Sequence, residues 1–447
     1  MKRIFPTIAL LFSLVSAHAQ TNPAITSWLQ NNIVTARHYV SGSSTVINDT
    51  DPVNCQLVQY NSTDVYVTTT GLPSYVTGPF LDGNPSLATN QNAIFKMPLN
   101  PIENTGNPEN TTPGNIGVFI NGVALFDYRD GVAWNNTTMA LCGGPGNPPC
   151  PGGMDAIQDW NRDAIPAEMG GFDCAKAHPA MGNYHHHQNP SAFNLDLVVV
   201  STICNLYNAD GLYAIDSTEH SPLIGFAYDG FPIYGAYAYQ NVDGTGAIVR
   251  MKSSYSLNTG TSRVLGPNVS NTYPLGYFRE DYHYTANGNS AYLDEHNGRI
   301  CVTPQYPDGI YCYFATIDSN WNSAYPYVVG PTFYGSIEAA KVASVPNGTV
   351  TYTPTVGVSN INLDDAQINV FPNPTSELIM IQLEGINKEN LKVELFEISG
   401  KLVETTTLLQ GSTIAYFDTK GLYCGQYFLR ISNSDTVTTK KVVVTKD

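Results

Sequence analysis

Turn-forming residues interrupt this chain so often that little except short extended segments can form between them. Its 447 residues include 38 glycines and 29 prolines. Both residues are costly inside helices, and proline also breaks central sheet ladders. Tyrosine, which favours strands, occurs 28 times against 4 tryptophans. The chain therefore reads as mainly β, built from many short strands joined by turns, and a helical repeat is excluded. Its length asks for two or three domains.

Charged residues make up only 13% of the chain, so uncharged polar side chains must cover the surface. The formal charge of −16 repels phosphate backbones and anionic lipid, which argues against a nucleic-acid partner.

Lys2 and Arg3 precede an apolar run from Ile8 to Val15, and Ala17-His18-Ala19 supplies a small-x-small cleavage pattern. Residues 1–19 thus read as a secretory signal peptide, and no segment has the roughly 20 apolar residues of a membrane span. Export permits disulfides among the 8 cysteines: Cys55, Cys142, Cys150, Cys174, Cys204, Cys301, Cys312 and Cys424. Cys142 and Cys150 bracket a Gly- and Pro-rich loop suited to a small ring. Cys301 and Cys312 flank a possible hairpin and are expected to pair with each other.

Residues 20–343 form the cargo, and 344–366, rich in Pro, Gly, Thr and Asn, read as a linker. Residues 367–447 carry short β-rich runs at close spacing, which predicts a small antiparallel, immunoglobulin-like β-sandwich.

The histidines of the cargo concentrate in Gly182-Asn183-Tyr184-His185-His186-His187. In a strand, alternate side chains share a face, so His185 and His187 point one way while Tyr184 and His186 point the other. Two imidazoles on one face suit a transition metal, copper or zinc above all. A third donor must come from elsewhere, and His178 and His220 are the nearest histidine candidates. Asp229, His186 and Cys312 are expected as further ligands or as groups that orient the ligands. Calcium is disfavoured because histidine is a poor ligand for a hard ion. Asp294 and Glu295 precede Asn297-Gly298, with Arg299 available for a structural ion pair. Tyr184, Tyr228, Tyr234, Tyr237 and Tyr239 offer faces for a sugar or peptide platform.

There is no His-Glu-x-x-His, Gly-x-Ser-x-Gly, phosphate-binding loop or dinucleotide fingerprint, so no reaction follows from motifs. The leading expectation is an exported metal-binding protein whose reaction is open. The alternative is a non-catalytic extracellular binding or adhesion module without metal.

Two resemblances sharpen this picture. Val370-Phe371-Pro372-Asn373-Pro374, Ser399-Gly400-Lys401, Gly425-Gln426-Tyr427 and the Lys-Lys-Val-Val-Val ending resemble the type A C-terminal sorting domain of the type IX secretion system. That resemblance implies the type IX machinery as partner, and passage across an outer membrane to the cell surface or the medium.

Four further stretches are similar to the YHYH domain family: Asn121 to Phe126, Gly182 to His187, His220 to Gly235, and Leu293 to Arg299 with its continuation to Gly330. The similarity covers about 116–331, with His186 standing where the family name puts a tyrosine. It implies a domain type without implying a reaction. Gly309-Ile310-Tyr311-Cys312-Tyr313-Phe314, set beside Gly182 to His187, also hints at a degenerate internal repeat in which Cys312 stands for His185.

Overall fold

The computed structural model describes residues 22–446 apart from 82–85, 145, 154–159, 193–203, 205–210, 355–367, 384–389, 410–411 and 434–436. The expected signal peptide and residues 355–366 of the expected linker lie outside the described residues. The chain divides into two compact units, Met1–Thr353 and Pro354–Asp447.

The first unit is organised by an eight-stranded sheet: β1 (Asn115–Phe119), β2 (Ala124–Phe126), β3 (Ala177–Ala180), β4 (Asn183–His186), β5 (Leu223–Ala227), β6 (Pro232–Tyr234), β7 (Gly298–Cys301) and β8 (Ile310–Phe314). Their order across the sheet is β3-β4-β2-β1-β5-β6-β8-β7. That order reads the same from both edges inward, as two hairpin pairs on each side of the β1–β5 junction. Each half contains one parallel junction, β4 with β2 and β8 with β6.

The register repeats residue by residue. His178 faces His185, and Arg299 faces Cys312. His186 pairs with Leu125, and Tyr313 with Ile233. At the centre, Gly225, Phe226 and Ala227 pair with Phe119, Val118 and Gly117, so a pseudo-twofold axis passes through the Val118–Phe226 pair. The internal repeat suggested by the sequence is thus the architecture of the sheet.

Local chemistry explains why both halves fold alike. In the β1–β2 turn, the Asn121 side chain accepts from Val123 N, and Gly122 takes a φ of +79°. In the β5–β6 turn, Asp229 accepts from Phe231 N, and Gly230 takes +87°. A Cβ at Gly122 would meet Thr69 Oγ1 at 2.1 Å, so glycine is required there for space as well as conformation. Before β3, Asp173 accepts from Ala175 N, Ala177 N and Tyr184 Oη. Before β7, Asp294 accepts from His296 N, Gly298 N and Tyr311 Oη in the same way. These carboxylates clasp each hairpin at the same point and so fix which residues face each other.

Strand alternation sends Phe119, Leu125, Ala227, Ile233, Tyr311 and Tyr313 to one core. Val118, Phe226, Tyr234, Cys312 and Phe314 enter another, shared with Val58, Val65 and Val67. The three valines belong to a five-stranded antiparallel sheet ordered Ala340–Val342, Ala93–Pro98, Asp64–Thr69, Cys55–Tyr60 and Val350–Thr351. The last of these strands lies within the stretch read from the sequence as linker.

Two disulfides are present, Cys142–Cys150, which closes the expected ring, and Cys174–Cys204. The expected Cys301–Cys312 bridge is corrected, because both are buried free thiols. The register sets Cys301 opposite Ile310 and Cys312 opposite Arg299, so the two cysteines lie diagonally across the hairpin, and the Cys312 thiol donates to the Ile310 carbonyl. The expected ion pair of Arg299 is replaced as well. Its guanidinium donates to the carbonyls of Ser290, Tyr239 and Gln240.

The second unit is the expected antiparallel sandwich. One sheet runs Ile368–Phe371, Leu378–Leu383, Ile414–Asp418, and the other Leu402–Leu408, Leu391–Glu397, Gly425–Ser432, Val437–Val444. Ile379, Ile381 and Phe417 from the first share a core with Val393, Leu395, Leu429 and Val442 from the second.

Phe226 sits at the pseudo-axis and is buried to 1% exposure. Phe226→Ala is expected to cost about 3–5 kcal/mol in the urea unfolding transition of the first unit. A loss below about 1 kcal/mol would show that the β1–β5 junction does not organise the sheet.

Candidate metal centre

Three histidines converge at one edge of the sheet. The Asp173 clasp starts β3 so that His178 lies opposite His185, and His187 follows directly after β4. The donor atoms of His178, His185 and His187 all lie within 4.8 Å of one another, and all three residues are buried. Phe126 stacks on the His185 ring at a centroid distance of 3.8 Å. Phe172 meets the His178 ring edge-on at 4.9 Å. Aromatic packing therefore helps to hold the imidazoles.

The hydrogen bonds determine which nitrogens are free to bind. His185 Nδ1 is 2.8 Å from the Asn183 carbonyl oxygen, and His187 Nδ1 is 2.6 Å from that of Asp127. A carbonyl can only accept, so both Nδ1 atoms carry the proton and donate. Each ring is left with its Nε2 facing the cluster, and these two atoms lie 3.1 Å apart. Burial, with the neighbouring His187 and His178 adding to it, pushes the His185 imidazole well below its ordinary value.

A fourth group completes the cluster. Glu168 closes the short helix α1 (Ala164–Glu168), whose N-terminus is capped by Asp163 accepting from Ile165 N. Glu168 Oε2 lies 3.2 Å from His178 Nε2 and 3.4 Å from His187 Nε2. Burial alone would raise this carboxyl, yet His178 and His187 hold it below the usual carboxylate range. The sequence reading missed Glu168. It is one of 37 acidic residues, stands ten positions from His178 and belongs to no ligand-spacing motif.

The other expected participants are elsewhere. His186 points to the opposite face, where Tyr75 Oη meets its Nε2 at 2.9 Å and burial lowers its pKa to about 3. His220 donates from Nδ1 to the Ser221 carbonyl at 2.7 Å and packs against Tyr234 and Tyr239, outside the three-histidine group. Asp229 accepts from Tyr313 Oη, Gly335 N and Phe231 N, which makes it a turn clasp. Cys312 lies in the other half of the sheet, where its thiol donates to the Ile310 carbonyl. Tyr184, Tyr234 and Tyr237 are buried, so the larger part of the suggested tyrosine platform is core.

Fold and site together define a mainly β protein with a buried histidine cluster. The family model for the YHYH protein matches residues 94–326, and the chain belongs to that family. A secretion system C-terminal sorting domain matches residues 369–445. This tail is the kind recognised by the type IX machinery, and it marks the chain for the cell surface or the medium. No helix among the described residues is long and apolar enough to cross a membrane. No curated protein matches the chain. Among solved structures, a β-glucuronidase from Parabacteroides merdae is similar at 16% identity and a TM-score of 0.13, over 17% of this chain and 12% of that one.

The helix that carries Glu168 begins at Asp163, whose carboxyl burial pushes up to about 8. The folded protein thus keeps a proton there that the unfolded chain releases above about pH 4. Stability from this group is full below that pH and is lost as the pH rises toward 8. Asp163→Asn, which keeps the cap through Oδ1 and reverses the Tyr327 bond so that the amide donates to Tyr327 Oη, is expected to flatten the pH dependence of unfolding free energy between pH 5 and 8, by up to about 1.4 kcal/mol per pH unit. Urea unfolding across that range gives the slope, and equal slopes in the two proteins would show that Asp163 is ionised in the fold.

Proposed function

We propose that this exported YHYH-family protein binds one transition-metal ion, copper or zinc, through His178, His185, His187 and Glu168. The observation that carries the reading is the pair of Nε2 atoms held face to face at 3.1 Å by carbonyl bonds on the far side of each ring. A cation beside them would take a coordinate bond from each.

The distances support an ion of ordinary size. Donors bound about 2.0–2.1 Å from a tetrahedral ion stand about 3.3 Å from one another. Three of the six separations here are 3.1, 3.2 and 3.4 Å, and the three histidine donors lie within 4.8 Å of one another. Three imidazoles and a carboxylate favour zinc or copper over calcium or magnesium. The carbonyls of Asn183 and Asp127 set ring orientation and raise ligand basicity, as partners beyond the first ligands generally do. When bound, the ion supplies Lewis acidity or, if copper, a redox couple. Glu168 is the one donor on a helix rather than on the histidine hairpin, and its displacement would open a coordination position for water or substrate.

The protein purified from its natural export route is expected to contain about one equivalent of copper or zinc by elemental analysis, as a four-donor centre would. His185→Ala combined with His187→Ala is expected to abolish it, and Glu168→Gln to weaken affinity at least tenfold in a competitive chelator titration. Full-length protein with no stoichiometric metal, and with content indifferent to the double substitution, would reject the reading. Glycan or matrix binding that persists in chelator would then favour an adhesive module.

A further inference from the structure

The pseudo-twofold axis gives the histidine centre a counterpart in the other half of the sheet. Superposing the registers places Arg299 where His178 stands, Cys312 where His185 stands, Phe314 where His187 stands and Cys301 where Ala180 stands. Tyr234 likewise occupies the place of Phe126, which stacks on His185 in the first half. The second half has lost its imidazoles, but it has gained two sulfur donors at one point of the repeat.

We propose that Cys301 and Cys312 form a second metal site, which holds a soft monovalent ion, Cu(I), in two-coordinate fashion between two thiolates. This inference is independent of the histidine centre. Cys312 lies directly opposite Arg299, and Cys301 is two residues further along the same strand, so both side chains project from one face of the β7–β8 hairpin. Both are buried free thiols, at 1% and 0% exposure, and the register sets them diagonally across the hairpin on that shared face. An ion between them would be held by one donor from each strand.

Charge and ligand number select the ion. Two thiolates around a monovalent cation leave one net negative charge, and a buried charge requires a partner. Arg299, itself buried, supplies it. Carbonyl oxygens fix its terminal nitrogens, and it stands two residues before Cys301 on the same face of the strand. Zinc would demand about four donors. No third His, Cys or carboxylate joins the pair among the described residues. Soft sulfur ligands in low number suit Cu(I). Binding releases the thiol protons to solvent and changes no oxidation state.

The test uses the full chain in a His185→Ala plus His187→Ala background, which removes the first centre from the measurement. The protein is refolded anaerobically with Cu(I) and ascorbate, then washed with a competing Cu(I) chelator. About one retained Cu(I) per chain is expected, with thiolate-to-copper absorption in the near ultraviolet. Cys301→Ala is expected to abolish both signals while keeping the melting transition, since alanine already occupies the equivalent position at Ala180. Retention unchanged by Cys301→Ala, or no retention in the parent, would overturn the site. So would an intact Cys301–Cys312 cross-link in natively exported protein by non-reducing peptide mapping. None of these outcomes bears on metal at His178, His185 and His187.

Discussion

Two hydrogen bonds decide the chemistry of this molecule. By tying His185 Nδ1 to Asn183 and His187 Nδ1 to Asp127, the backbone fixes the orientation of both rings and turns their Nε2 atoms toward each other. The unfolded chain has no such constellation, so an ion bound at the proposed site would stabilise the fold that assembles it.

The sheet makes that geometry possible. Convergence of residues separated by only two positions would be lost with any slip of one residue, because a slip exchanges the two faces. Register is held by the Asp173 clasp on one side and the parallel junction with β2 on the other. The second half uses Asp294 and β6 for the same purpose. One framework thus presents the same geometric positions twice, with donors of different softness.

How much of this was legible in the sequence follows from the range over which each constraint acts. The His-x-His face was readable because strand alternation is local. The repeat was readable because Gly182 and Gly309 mark the same left-handed position, at φ of +84° and +82°, two residues before Tyr184 and Tyr311. The sorting sandwich was readable from alternating runs such as Leu378–Leu383. His178 was named from proximity and joins the cluster through strand pairing. His220, named on the same grounds, packs among tyrosines instead. Glu168 was not legible, because a five-residue helix delivers it from outside the sheet and only tertiary packing sets its position. Cys301 and Cys312 looked like a bridge for want of the register, which sets them diagonally rather than face to face.

The two halves also show what substitution at one repeat position does to its neighbours. With imidazole at 185, the facing residue is another imidazole, His178, and Glu168 supplies the negative charge for a divalent ion. With sulfur at 312, the facing residue is a guanidinium, which matches a centre that carries net negative charge. In each half the residue facing the donor is a buried polar side chain. Simple core packing places no such demand, since an apolar residue at 178 or 299 would bury surface equally well without a desolvation cost. A buried polar side chain kept at both positions of a shared backbone is the pattern expected when both positions face ions.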